Sequence, residues 1–187
     1  MTTQALSNGF VDHRPAAVAA ADGRTHRASL GLLLWLFGFT GAHRFYFGKS
    51  VSGTVQFALF ALTTAFTFLL GPFAWVTVGL PLLVWWVVDF FLIGSMKRSA
   101  GRTYVAGPYS YSMAWILQTF LGWAGVHRLY LGKWVTGATM LVMSLAVPGT
   151  LFLLWPLALV CGAIYLIDFW TLNEQVSERN AAAVTQS

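Results

Sequence analysis

Charge is what this sequence has least of. Lys, Arg, Asp and Glu make up 9% of its 187 residues, while 57% are hydrophobic. From Val51 to Ile93 there are 43 residues with no Lys, Arg or Glu and one Asp, Asp89. Such a chain cannot bury its apolar surface in a single soluble core of this size, and a bilayer is the solvent it requires. Cysteine is nearly absent too: Cys161 stands alone, so no intrachain disulfide can form and the redox compartment is not encoded. Missing as well are the motifs in which catalysis is legible: no G-x-S-x-G, no P-loop, no H-E-x-x-H and no paired acidic motif. An enzyme is not expected, and neither a cofactor nor a metal site with Cys/His spacing.

What the chain does have is aromatic and weakly basic. Nine Trp, six Tyr and fifteen Phe suit a boundary between hydrocarbon and headgroups. Eleven Lys and Arg against six Asp and Glu give a formal charge of +5, an excess that membrane proteins show to the cytoplasmic leaflet. Nucleic acid is not an expected partner, because the aromatic residues lie inside apolar runs and not in a basic groove.

One stretch is written twice. Gly38 to Gly53 reads GFTGAHRFYFGKSVSG and Gly122 to Gly137, 84 positions on, reads GWAGVHRLYLGKWVTG, with nine of sixteen positions identical. The recurrence argues for a tandem duplication. Residues 1–27 are expected to be a disordered polar tail that contains His13 and His26. A first repeat then runs over 28–96, a polar linker over 97–112, a second repeat over 113–173 and a polar tail over 174–187. Ala28 to Phe39 resembles the apolar part of a secretory signal. Its near copy at Met113 to Trp123, in mid-chain, excludes that reading.

Each repeat reads as a short non-spanning helix followed by a transmembrane helical hairpin. Twelve residues reach about 18 Å, against a hydrocarbon core of roughly 30 Å. The first hairpin should turn at Gly71-Pro72 and kink at Pro81; the second should turn at Pro148-Gly149 or Trp155-Pro156. The fold expected is an all-α integral membrane protein of about four spans. With four spans all eleven Lys and Arg share one side; with six they divide five and six, so charge favours four, with both tails cytoplasmic.

The charged constellation is His43, Arg44, Tyr46, Gly48 and Lys49 with Asp89, repeated as His127, Arg128, Tyr130, Gly132 and Lys133 with Asp168. An ionised Asp near hydrocarbon needs a partner, and the guanidinium fork of Arg44 or Arg128 can grip it with two hydrogen bonds. The favoured reading is architectural, with Tyr46 and Tyr130 as interface anchors and Lys49 and Lys133 snorkelling. A sharper one has Arg44, Lys49, Arg128 and Lys133 facing anionic lipid headgroups. A third joins His43, His127, Asp89 and Asp168 across the two repeats as a metal or proton site. A small transporter or channel with Asp89 and Asp168 between the repeats is the alternative of another class. Met140 and Met143 should fill packing gaps, and small-residue faces leave room for a homo-oligomer.

The unit of short apolar helix, G-x-x-G-x-H-R-F-Y-x-G-K, apolar stretch and late W-x-x-D-F resembles the two-transmembrane domain family, the TM-two domain. The residues that carry this are His43, Arg44, Phe45, Tyr46, Gly48 and Asp89, then His127, Arg128, Tyr130, Gly132 and Asp168, with Leu129 in place of the aromatic. The resemblance implies a bacterial cytoplasmic-membrane protein and brings no catalytic residue with it.

Overall fold

The computed structural model describes residues 25–149 and 155–186, and every regular element among them is helical. In order these are α1 (Ala28–Leu36), α2 (Ala42–Tyr46), α3 (Ser50–Leu70), α4 (Phe73–Thr77), α5 (Leu80–Thr103), α6 (Tyr111–Leu121), α7 (Val126–Tyr130), α8 (Trp134–Gly149) and α9 (Trp155–Thr185). Tight 3₁₀ turns at Gly38–Thr40 and Gly122–Ala124 precede α2 and α7. Both motif stretches therefore sit in the same succession: short helix, 3₁₀ turn, five-residue helix, then two long helices.

The 21 residues of α3 and 24 of α5 reach about 32 and 36 Å, and both helices are long and apolar enough to cross a bilayer. They are not core helices of a soluble fold. Their most apolar windows are only 17% and 22% buried, and Val51, Phe68 and Phe91 point outward at 77% exposure or more. Thr54, Thr63, Thr64 and Thr67 of α3 each donate the hydroxyl to the carbonyl four residues back, so the threonine hydroxyls are satisfied within an apolar helix.

The first hairpin turns at Gly71, whose φ of 59° stops α3. Pro81 does not kink a continuous helix. The break falls at Val78-Gly79, where a side chain on Gly79 would lie 2.9 Å from the Trp75 backbone, and Pro81 stands in the first turn of α5, where its missing N–H costs nothing. In the second unit α8 runs to Gly149 and α9 starts at Trp155. The connection is thus 150–154, outside the described residues, as are residues 1–24 of the expected tail and His13.

The stretches read as a polar linker and a polar tail are both tied into the helices. The linker 97–112 is helical in α5 as far as Thr103 and again from Tyr111, and the extended piece between is fastened to α9. Asn180 accepts from Tyr109 N at 2.9 Å and donates to the carbonyls of Val105 and Tyr109 at 3.0 Å. The polar tail from residue 174 is the second half of α9, continuous to Thr185, with Val176 and Asn180 fully buried. The apolar core lies at this end of the molecule, where Tyr46 and Phe47, Ala100, Tyr111, Trp115, Leu172 and Val176 from both units interlock.

Candidate functional site

The motif forms a clamp on the returning helix. Gly41 opens it with φ 73°, in the left-handed region, and a Cβ there would lie 2.7 Å from the Gly53 carbonyl. Only glycine allows the turn before α2 to rest against the first turn of α3. Gly125, at φ 71°, repeats this against Met140 and Gly137, so Met140 packs there, 2% exposed. Gly48 and Gly132, at φ 72° and 70°, close α2 and α7. One turn of helix then aims two consecutive side chains, His and Arg, at one carboxylate.

In the first unit Asp89 is fully buried. Its Oδ2 accepts from His43 Nε2 and Arg44 Nε, each at 2.8 Å, and its Oδ1 from Arg44 Nη2. The remaining arm, Arg44 Nη1, donates to Ser52 Oγ at 2.7 Å, and the guanidinium carbon lies 4.8 Å from the centre of the Trp85 ring. An ionised carboxylate only accepts, so His43 carries a proton on Nε2, and its Nδ1 is buried with no partner. In the second unit Asp168 accepts from His127 Nε2 at 2.9 Å and from Arg128 Nε and Nη2 at 2.5 and 2.7 Å, and His127 Nδ1 is again bare. Gln175 adds a fourth donor at 3.1 Å, and its Oε1 takes Lys133 Nζ at 2.7 Å. Burial first, and then the Arg128 charge, lower the Lys133 pKa.

Each histidine thus meets the aspartate of its own unit, not a site shared across units, and among the described residues no group of three His, Cys, Asp or Glu could hold a metal. Of the four cations expected to face phosphate, Arg44 and Arg128 turn inward to the carboxylates. Lys133 donates to Gln175, and Lys49, exposed, donates to Ser99 Oγ at 2.9 Å. Tyr46 is no interface anchor: it is fully buried, and its hydroxyl accepts from Arg27 N at 2.7 Å at the start of α1 and shares a 3.0 Å bond with Ser112. Tyr130 accepts from Ser110 N at 2.8 Å at the start of α6. In both units the motif tyrosine satisfies a helix N-terminus.

His26 does not belong to a solvated tail. It is 2% exposed, with Tyr111 and Tyr46 rings at 4.6 and 4.8 Å and Asn173 Oδ1 at 3.5 Å, and burial pushes its pKa down to about 4. Asn173 is the seam between units. It accepts from Trp115 Nε1 at 2.7 Å and donates to the carbonyls of Phe45 and Tyr46, both at 2.9 Å. Sequence reading missed the His–Asp bonds, Asn173, Gln175 and Asn180. A signal existed: Asp168 and Gln175, and Asn173 and Asn180, lie seven apart, two turns of one helix face.

A family model described as the TM2 domain matches residues 107–170, from the extended linker through α6, α7 and α8 to just past Asp168. It shows a single copy, over the second clamp. No curated protein and no solved structure matches the chain.

Proposed function

We propose that this is a four-span, non-enzymatic protein of the bacterial cytoplasmic membrane, built from two tandem TM2-like units. In this reading each His-Arg clamp is architectural, and the cations left exposed beside it meet anionic lipid headgroups. The observation that carries it is the repetition of one closed carboxylate clamp. Asp89 and Asp168 are each buried and held by the His and Arg of their own motif, 45 and 40 residues ahead of them in the Arg pairs. A carboxylate so satisfied is placed to fix helices and not to exchange with substrate. For headgroups there remain Lys49, Arg98 and Arg102, all exposed at the motif end of α3 and α5.

Four spans follow from adding α8 and the apolar half of α9 to α3 and α5. At 16 residues α8 reaches about 24 Å, enough to cross with modest thinning of the bilayer. The test is single-cysteine labelling in a Cys161→Ser background. Gly71→Cys should react only from outside, Gly48→Cys and Gly132→Cys only from the cytoplasm. Labelling of the last two from opposite sides would overturn the model.

One observation favours the transporter or channel reading: Gln56 Nε2 and Oε1 and His43 Nδ1 are buried without a partner near the Gly38–Gly41 turn. Polar atoms so placed attract water. That reading requires ion flux through proteoliposomes of the purified protein; the architectural reading requires none.

A further inference from the structure

The two units differ most where their short helices lean on the returning ones. Thr119 stands 84 positions after Trp35, and Trp86 and Tyr165 each stand three residues before their aspartate. In the first unit Trp35 and Trp86 stack with centroids 4.5 Å apart and planes 1° from parallel, and each indole N–H donates to the other residue's backbone carbonyl at 2.8 Å. Phe39 extends the stack, 4.9 Å from Trp86. The slot is full.

In the second unit the Tyr165 carbonyl still receives a side-chain donor, Gln118 Nε2 at 3.1 Å, so the register of the two helices is kept. Among the described residues no ring takes the place of Trp35. Thr119, Trp123, Ser144, Cys161, Gly162 and Tyr165 instead line a cavity of about 510 Å³, inside the roughly 300–1,000 Å³ usual for small-molecule sites. A Cβ on Gly162 would meet nothing within 4 Å. The first unit has Leu82, fully buried, and Leu83 where the second has Cys161 and Gly162.

The chemistry of the walls narrows the occupant. The hydroxyls of Thr119 and Ser144 are turned to the carbonyls of Trp115 and Leu141, both at 2.8 Å, so neither is left facing the space without an acceptor. Two aromatic side chains, Trp123 and Tyr165, flank a slot that in the other unit holds a flat stack of rings. A flexible acyl chain would fill the volume but would not use the ring faces, whereas a planar molecule would. We propose that this cavity binds a planar fused-ring amphiphile drawn from the bilayer, in the place that the Trp35–Trp86 stack fills in the first unit.

The test uses the full chain in lipid nanodiscs, with Cys161, the sole cysteine, as reporter. N-ethylmaleimide labelling is timed by intact mass with 2-naphthol as the flat probe and 1-decanol as the straight-chain control. The expected result is saturable slowing of Cys161 labelling, fivefold or more, by 2-naphthol and none by decanol. Thr119→Trp, which restores the indole of the first unit, should label slowly and ignore 2-naphthol. Should that variant not fold, Gly162→Leu, which fills the same space, is read in its place, and the contrast between the two probes on the parent decides without either. Equal protection by both probes marks a plain acyl crevice and overturns the proposal. So does no protection, a Cys161 that never reacts in the unloaded protein, or a filled variant that still labels and is still protected.

Discussion

The two clamps use the same three residue types and differ in what surrounds them. Around Asp89 the shell is closed: Ser52 takes the last arm of Arg44, Trp85 lies against the guanidinium, and Met96 stands where the second unit has Gln175. Around Asp168 it is wetter. The Arg128 side chain is 16% exposed against 9% for Arg44, and Gln175 relays between the carboxylate and Lys133. The same charge pair can therefore be indispensable in one unit and partly redundant in the other, because the cost of losing a partner depends on what else can satisfy the carboxylate.

Removing one arginine from each clamp tests this most directly. Arg44→Ala leaves Asp89 buried with His43 alone and should cost about 3–5 kcal/mol. Arg128→Ala leaves Asp168 with His127 and Gln175 and should cost about 1.5–3 kcal/mol. Denaturant unfolding in detergent measures both, and equal losses would break the comparison.

The next largest effect is one of pH and belongs to the first unit alone, since Ser110 stands 84 positions after His26. The His26 pKa lies at about 4 in the folded chain against 6.5 as the ordinary value, because burial disfavours the imidazolium. Between those values the unfolded chain binds a proton that the folded chain does not. Stability is therefore full above about pH 6.5 and falls as pH drops towards 4, by about 3 kcal/mol. His26→Phe should flatten that slope in thermal melts taken across the range; a slope unchanged by the substitution would assign it to other groups.

The smallest effect should sharpen the comparison. Gln175→Met gives the second clamp the side chain of the first and removes one hydrogen bond from Asp168, a loss of about 1 kcal/mol. In that background Arg128→Ala should become as costly as Arg44→Ala, a coupling that a double-mutant cycle reads directly. Strict additivity would mean that Gln175 does not support the carboxylate.

Much of the site was legible in the chain. An aspartate in an apolar stretch must find a partner, and each of the two His-Arg pairs, with its glycine and lysine, is followed by one such aspartate 40 to 45 residues after the arginine. What was not legible came from packing between segments distant in sequence. Nothing local to His26 marks it as buried, because its burial depends on Tyr46, Tyr104 and Tyr111 closing around it. Asn173 looked like no more than the last residue of the second repeat, and it became the seam because α9 continues past the apolar run and lies across α2 and α6.

The sequence by itself determined the helical class, the two helices long and apolar enough to cross a bilayer, and the residues of each clamp. Those depend on how much apolar surface a chain carries and on where its few charges fall, quantities that any fold of this chain must respect. Tertiary structure alone decided that each histidine serves its own aspartate, that the polar end of α9 ties the two units together, and that one unit fills with indole the slot the other leaves open. Those are matters of distance and shape, and composition does not record them.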